Sequence, residues 1–327
     1  MKQTITHQSN ASDAALSYQD LRGVLLPITT SFDAAGKIDL VALCENIAKW
    51  NTTGISGYVL LGSTGERAHL DEREYLEVIE AARTEVGKRP DGLTFIAGAG
   101  QQSTLGTINE IKRVVASVPV DAFLVITPSF YRPSITQQAL VAHYRSIADA
   151  SPTPVILYSM PALTGIRIEP ETAARLSEHE NIIGIKDSSN NLEGLQETIK
   201  LARRDFAVLT GNGTVFNQAI SAGASGGILA VGCVAPAVCL AIFRAVQSGD
   251  TDTAERLQAK LTPLAEAVTV RFGIGGLKAA LDMKGYVGGP VRAPLRAADD
   301  DAHKEIRGLL EAAEAELAGL SVQQAGY

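Results

Sequence analysis

Cysteine, tryptophan and histidine are scarce in this chain of 327 residues, which contains three cysteines, one tryptophan and five histidines. The cysteines Cys44, Cys233 and Cys239 form no CxxC pair, so the sequence predicts neither a disulfide framework nor a zinc site. The five histidines are scattered along the chain without an HxH or HExxH pair. Because metal-binding motifs need such spacings, we expect no metal site.

Positive charge and long hydrophobic runs are also lacking. The 29 Lys and Arg residues against 36 Asp and Glu give a net charge of −7, and no basic run is present, so nucleic acid is not expected as a partner. The uncharged stretch from Phe206 to Phe243 is interrupted by glycines, amides and Pro236. Since it offers no 18 consecutive apolar residues, we expect no membrane span and a soluble, cytoplasmic protein.

Short apolar runs alternate with segments of helical periodicity in the middle of the chain. Eight short apolar runs rich in Val, Ile, Leu and Tyr predict strands, and eight segments of helical periodicity follow them. The predicted strands are Val24–Thr30, Tyr58–Leu61, Thr94–Ala97, Ala122–Thr127, Val155–Tyr158, Ile182–Lys186, Ala207–Thr210 and Gly227–Ala230. The predicted helices are Leu40–Asn51, Asp71–Val86, Thr104–Ser117, Thr136–Ala150, Pro170–Ser177, Leu192–Ala202, Thr214–Ala222 and Pro236–Gln247.

This alternation predicts an α/β fold with a parallel sheet, because parallel strands need crossover helices. Eight units over roughly 230 residues fit a closed (β/α)8 TIM barrel, for which about 250 residues are typical. A doubly wound open sheet is the alternative, but it usually carries a glycine-rich phosphate motif after its first strand. Here Ser31, Phe32 and Asp33 follow the first strand, so the barrel is favoured.

Three parts of the chain differ in pattern. Residues 1–20 are polar and lack the apolar core of a secretory signal, so we expect a flexible N-terminal segment. Residues 21–248 form the predicted barrel. Residues 249–327 show only helical patterns, over Thr251–Phe272, Gly276–Lys284 and Asp300–Leu317, and predict a C-terminal helical extension.

Three predicted strands end in groups that can do chemistry, and active sites of βα barrels lie at these ends. After the second strand, Ser63 and Thr64 lie between two glycines and offer hydroxyls and amides to a carboxylate. Tyr158 ends the fifth strand and can pass protons. Lys186 ends the sixth, and burial lowers the pKa of a lysine, which favours a nucleophilic amine that forms Schiff bases.

Each motif alone has a simpler interpretation. The first could be an ordinary turn, Tyr158 a half-buried tyrosine bonded to backbone, and Lys186 a lysine that reaches solvent or pairs with Asp187. Together they combine a site for an anion, a proton shuttle and an amine nucleophile. That set fits a 2-oxo acid, whose carboxylate is held while its ketone condenses with the lysine.

The residues Gly62–Glu66, Tyr158–Pro161 and Gly184–Asp187 resemble the signatures of the dihydrodipicolinate synthase / N-acetylneuraminate lyase family. The resemblance extends from about Leu21 to Leu295. It implies a (β/α)8 barrel with a C-terminal helical extension and a class I aldolase that releases or condenses pyruvate or a close analogue. It also implies a homotetramer built from tight dimers, with neither a metal nor an organic cofactor.

Within this family, the chain most resembles 4-hydroxy-2-oxoglutarate aldolases. The stretches that carry this resemblance include Thr127–Arg132, Arg271–Ile274 and above all Gly285–Leu295. The alternatives are a 2-keto-3-deoxy sugar acid aldolase or dehydratase and a dihydrodipicolinate synthase. A hypothesis of another class is a protein that binds oxo acids without catalysis.

The resemblance also implies roles for single residues. Lys186 would be the Schiff-base lysine, Tyr158 the general acid and base, and Thr64 a further catalytic residue. The implied substrate-binding residues are Ser63, Thr64, Ser188, Gly211, Ile228, Phe130, Tyr131 and Leu163.

Three positions bear on the choice between these activities. Dihydrodipicolinate synthases carry an Arg five positions after the strand-five Tyr, where this chain has Leu163, and this disfavours the synthase alternative. The family usually has a Tyr where Phe130 stands, as part of a proton relay that reaches into a neighbouring subunit's site; Tyr131 is the adjacent hydroxyl. Arg67 is either a solvated loop residue or a ligand for a second carboxylate.

Overall fold

Eight parallel strands close into a barrel in the computed structural model of the chain, which describes residues 16–87 and 92–325, with side chains as far as residue 320. Neighbours in sequence are neighbours in the sheet, and β8 pairs with β1. The prediction of a TIM barrel is therefore confirmed. The strands are β1 (Gly23–Pro27), β2 (Gly57–Leu60), β3 (Thr94–Ala99), β4 (Ala122–Ile126), β5 (Val155–Ser159), β6 (Ile182–Asp187), β7 (Ala207–Thr210) and β8 (Gly226–Ile228).

Helices cover the outside of the barrel and connect its strands. Polar side chains fix several of their starts; Asp71 and Glu74, for example, form a reciprocal capping box at the second helix. The helices are α1 (Leu40–Trp50), α2 (Glu72–Val86), α3 (Thr104–Ser117), α4 (Gln137–Ala150), α5 (Pro161–Thr164), α6 (Pro170–Ser177), α7 (Leu192–Leu201), α8 (Phe216–Ser221) and α9 (Pro236–Ser248).

Within the described residues, the chain beyond the barrel forms helices and no strand. These helices are α10 (Thr251–Glu266), α11 (Gly273–Met283) and α12 (Asp300–Ala325), and α10 packs against both α9 and α12. The helix predicted over Thr251–Phe272 ends in a π-helical turn, Ala267–Arg271. Phe272 separates that turn from α11, whose first residue, Gly273, has a φ of +54°. The division of the chain at residues 20 and 248 stays a prediction, and residues 1–15 lie outside the described part.

The barrel interior is a separate apolar cluster from the shell between strands and helices. Alternate strand residues fill it in layers, as in other barrels of eight strands. The cluster includes Leu25, Val59, Ile96, Leu124, Ile156, Leu209 and Ile228, with Tyr158 at its carboxyl end. At the opposite end the 3-10 turn Tyr18–Leu21 covers the barrel, and Leu21 is fully buried there. The open end for a site is thus the carboxyl end of the strands.

The uncharged stretch from Phe206 to Phe243 contains β7, α8, β8 and the first half of α9. Its apolar residues are buried between barrel and helices, which explains why it lacks charge. Across the described ranges, no helix combines the length and the apolar character that a membrane crossing requires.

Candidate active site

Tyr158 lies next to both Lys186 and Ser63 at the carboxyl end of the barrel. It is paired in register with Lys186 on the neighbouring strand, and the Lys186 Nζ lies 4.4 Å from the centre of the tyrosine ring. On its other side, the Tyr158 hydroxyl lies 3.0 Å from the Ser63 hydroxyl. Tyr158 and Lys186 are only 3% and 4% exposed. Closure of the barrel therefore brings three groups from β2, β5 and β6 into one place.

Lys186 has no carboxylate partner within the described ranges, although Asp187 follows it directly. Successive residues of a strand point to opposite sides, so the two side chains diverge. The Asp187 carboxylate instead accepts a hydrogen bond from the backbone N–H of Ser189 at 2.7 Å, and burial raises the pKa of Asp187. The alternative in which Asp187 neutralises Lys186 is not what the structure shows.

Gly211, the residue directly after β7, packs against the side chain of Lys186. A Cβ atom built at this position would overlap the Ser188 hydroxyl and lie 2.7 Å from Cε of Lys186. Real side chains do not approach so closely, so Gly211 is the residue that leaves room for the lysine. Lys186 and Ser188, two of the predicted site residues, thus both lie beside Gly211, a third, and Ile228 is buried in the barrel interior.

We expect Gly211→Ala to lower turnover about tenfold to a hundredfold, because the added methyl group displaces Lys186 and Ser188 from their positions. Activity assays together with thermal unfolding would check this. Gly308→Ala is the matched control, since its Cβ meets nothing within 4 Å and alanine favours its helix. Wild-type turnover in Gly211→Ala would show that this packing does not matter for the reaction.

A tight turn over Gly62–Glu66, called the cradle below, presents Ser63. Two non-glycine residues in the left-handed region bound it, Leu61 at a φ of +54° and Glu66 at +53°. Such a conformation costs about 1–2 kcal/mol per residue, so other contacts must hold the turn. One of these is the buried Thr30 hydroxyl, which donates to the Gly65 carbonyl at 2.6 Å. Thr64 is half-buried in the same turn.

An ion pair that the sequence pattern does not predict lies behind the cradle. The carboxylate of Glu66 lies 2.6 Å from the Nζ of Lys278, and both side chains are almost completely buried. Arg292 donates its backbone N–H to the same carboxylate at 3.0 Å. A signal was present, because Lys278 is the only charged residue in Gly273–Leu281, an otherwise apolar segment, just as Lys186 stands out in its strand.

A cavity of about 750 Å³ opens beside the cradle. Ser63 and Tyr158 lie on its wall, and Leu163, which is 63% exposed, lies at its rim. Arg67 also lines it, but this side chain pairs with Glu110 and lies over the ring of Tyr75. Arg67 is therefore held by the protein rather than solvated, and its charge is already balanced.

Phe130 and Tyr131 do not join the group around Lys186. They are 75% and 67% exposed and pack edge to face against each other, with ring centres 5.1 Å apart. The side-chain oxygen of Gln102 accepts a hydrogen bond from the Phe130 backbone N–H at 2.8 Å and so fixes the loop. Their predicted role in substrate binding stays a prediction, as does the tetramer.

The closed (β/α)8 barrel places a buried lysine and a buried tyrosine at the carboxyl end of its strands, where enzymes of this fold carry their active sites. The family model described as the dihydrodipicolinate synthetase family matches residues 20–313. The chain belongs to this family, and it is an aldolase-type lyase that uses pyruvate.

Similar proteins cover nearly the same length. A 4-hydroxy-tetrahydrodipicolinate synthase of Methanothrix thermoacetophila is 34% identical over 290 residues, 88% of this chain and 96% of that protein. Another, from Streptomyces coelicolor, is 36% identical over 278 residues, 84% of this chain and 88% of that protein. Among solved structures, a dihydrodipicolinate synthase from Cyanidioschyzon merolae with lysine bound superposes with a TM-score of 0.85 at 28% identity, covering 90% and 99% of the two chains.

Proposed function

We propose that Lys186 forms the Schiff base with the C2 carbonyl of pyruvate and that this enzyme makes or breaks the carbon–carbon bond at C3. The Nζ adds to the carbonyl, water leaves, and the resulting iminium withdraws electrons from C3. Loss of a C3 proton gives an enamine, whose C3 attacks an aldehyde; cleavage runs the same steps backwards. Water finally hydrolyses the imine and releases the product. The observation that carries this proposal is the position of Tyr158, whose hydroxyl lies 3.0 Å from the Ser63 hydroxyl and whose ring centre lies 4.4 Å from the Lys186 amine.

Tyr158 is the group that moves protons in this scheme. Its hydroxyl lies within hydrogen-bond distance of the Ser63 hydroxyl, and its ring lies against the lysine amine. It can therefore donate a proton to the carbinolamine hydroxyl, which then leaves as water, and to the alkoxide formed from the aldehyde. Ser63 and Thr64 bind the carboxylate of pyruvate through the hydroxyls and amides of the cradle.

The aldehyde that reacts with the enamine decides the particular activity. The relatives are named 4-hydroxy-tetrahydrodipicolinate synthases, and these names support a condensation of pyruvate with an amino-acid aldehyde. They support this alternative better than the 4-hydroxy-2-oxoglutarate aldolase favoured in the sequence analysis. Condensation is accordingly the first candidate. The product in these names, 4-hydroxy-tetrahydrodipicolinate, contains the carbon atoms of pyruvate and aspartate semialdehyde, so aspartate semialdehyde would be the partner of pyruvate.

One observation favours the second candidate, cleavage of 4-hydroxy-2-oxoglutarate to pyruvate and glyoxylate. Leu163 stands at the cavity rim, at the position where the family resemblance expects an Arg that grips the carboxylate of the amino-acid aldehyde. An aliphatic side chain cannot replace a guanidinium in that contact. The neighbouring cation, Arg67, is occupied by Glu110 and does not compensate.

Parallel assays on one preparation separate the two candidates. Pyruvate is supplied with aspartate semialdehyde in one assay and with glyoxylate in the other, and the product of each is quantified. A kcat/KM higher by at least about a hundredfold for one aldehyde assigns the activity, because that ratio corresponds to about 2.7 kcal/mol of transition-state binding. No product in either assay, combined with bound pyruvate, would favour the non-catalytic oxo-acid-binding protein.

We expect Leu163→Arg to raise kcat/KM for aspartate semialdehyde about tenfold, because a guanidinium at the rim adds a charge-assisted contact to the aldehyde's carboxylate. KM for pyruvate should stay at the wild-type value, since pyruvate binds deeper. Leu163→Met is the control for the change of shape. An unchanged ratio between the two aldehydes would mean that position 163 does not select the acceptor.

A further inference from the structure

The cradle ends at a buried carboxylate that three groups hold. Glu66 has a fully buried side chain and a φ of +53°. Lys278 Nζ lies 2.6 Å from one of its oxygens. The other oxygen accepts the backbone N–H of Arg292 at 3.0 Å and lies 3.3 Å from Nδ1 of His69. No water-facing position is left for the charge, so the position of Glu66 depends on these partners.

Two of these partners, Lys278 and Arg292, come from the chain beyond the barrel, more than 200 positions after the cradle. Lys278 lies on α11, and its Nζ also donates to the Pro290 carbonyl at 2.7 Å. The side chain of Arg292 forms a fork to Glu74, with distances of 2.7 and 2.5 Å. The helical C-terminal part of the chain is thus tied to the barrel directly behind the substrate cradle.

Aromatic packing fixes the two cations further. Lys278 Nζ lies 4.5 Å from the centre of the Phe32 ring, and the Arg292 guanidinium carbon lies 4.4 Å from it. Phe32 belongs to the loop after β1 and is buried. Cations over an aromatic face are attracted to it, so this ring gives both a defined place.

Glu66 is coupled to the substrate-binding turn through the backbone. Its N–H donates to the Ser63 carbonyl at 3.1 Å, and its carbonyl accepts from the N–H of His69 at 2.8 Å. A buried ion pair contributes little net stability compared with a well-packed apolar pair, because desolvation offsets the attraction. The pair is therefore poorly explained as a stabilising device, whereas it holds the left-handed residue that ends the cradle.

We infer that Lys278 is a positioning residue: with Arg292 it fixes Glu66, and through Glu66 it fixes the orientation of Ser63 and Thr64 toward the carboxylate of pyruvate. The inference rests on the proposed function in one respect, since it assigns the cradle to that carboxylate. Its consequence is specific. Loss of the pair weakens pyruvate binding, while the chemistry at Lys186 continues once pyruvate is bound.

The variants Lys278→Met, Glu66→Gln and the combination of both test this on the full-length protein. Met keeps the length and apolar stem of Lys278, and the double variant avoids leaving either charge buried alone. Lys284→Met is the matched control, because Lys284 also forms an ion pair in this region, with Glu314, but its side chain is partly exposed to solvent. Intact mass after borohydride reduction over a range of pyruvate concentrations measures half-saturation and the rate at saturation.

We expect half-saturating pyruvate to rise at least about tenfold in each of the three variants, with the rate at saturation lowered less than about threefold. Lys284→Met should match the wild type in both. Wild-type half-saturation in a folded double variant would overturn the inference. A decrease of the rate at saturation without a change of half-saturation would also overturn it. The same holds if the change of half-saturation is no larger than the loss of folded protein measured by thermal unfolding.

Hydrogen exchange separates failure of this inference from failure of the proposed function. Backbone amides of residues 61–67 should exchange at least about tenfold faster in the double variant than in the wild type or Lys284→Met, because an unheld left-handed turn opens locally. If wild-type protein forms no pyruvate adduct, the proposed function fails, and hydrogen exchange alone tests whether Lys278 positions the cradle. Equal exchange rates in all proteins would then overturn the positioning role of Lys278.

Discussion

Lys186→Ala should abolish turnover, with a decrease of at least about a thousandfold, because it removes the amine that forms the covalent intermediate. The fold should survive. Lys186 has no ion-pair partner in the part of the chain that the structure describes, so its removal leaves no buried carboxylate without a counter-charge. Thermal unfolding and steady-state kinetics on the same samples measure the two effects.

Lys200→Ala is the control for the loss of a lysine. Lys200 lies on α7, the helix after the same strand, and its amine is exposed beside Glu197 at 3.3 Å. This variant should keep wild-type kinetics. Residual turnover of more than a few per cent in Lys186→Ala would contradict the covalent mechanism, whereas no turnover in either wild type or variant would favour the binding protein.

Tyr158→Phe should lower kcat by about a hundredfold to ten-thousandfold, the range that a positioned general acid or base contributes. The ring stays, so the packing against Lys186 and the barrel interior is kept. The lost group is the hydroxyl that lies 3.0 Å from the Ser63 hydroxyl. The pyruvate adduct should still form, but more slowly, since Lys186 remains and only the proton transfer is impaired.

Tyr58→Phe is the matched control for Tyr158→Phe. Tyr58 is also a fully buried tyrosine on a barrel strand, and its hydroxyl bonds to the Asn51 side chain at 2.9 Å, on the outer side of the barrel. Loss of this hydrogen bond should cost about 1 kcal/mol of stability and leave kcat unchanged. Equal effects of the two substitutions on kcat would contradict a proton-transfer role for Tyr158.

The strands and most helices of the barrel could be predicted from the sequence because parallel strands are buried on both faces. Such strands give short continuous apolar runs, and Ala207–Thr210 was predicted with its observed bounds. Three details could not be predicted. The helix α5 has four residues, too few to show a helical period. A 3-10 turn shortens α8 to Phe216–Ser221. The π-helical turn Ala267–Arg271 has the same residue pattern as an α-helix and so cannot be told from one.

The candidate site was predictable where a strand ended in an unusual residue. Lys186, Tyr158 and Ser63 are named by that rule, and the closed barrel brings them together. The support behind the cradle was missed because Glu66 and Lys278 are 212 positions apart, and no local pattern pairs them. Arg67 was misjudged for the same reason, since its partner Glu110 comes from α3.

The most direct test of the central claim is reduction of the enzyme with borohydride in the presence of pyruvate, followed by intact mass and peptide mapping. We predict one reduced-pyruvate adduct per chain, on Lys186. Lys278, which among the described residues is the other almost completely buried lysine, should stay unmodified because Glu66 holds its amine. An adduct on Lys278 or on any other lysine, or no adduct at saturating pyruvate, would contradict the Schiff-base site described above.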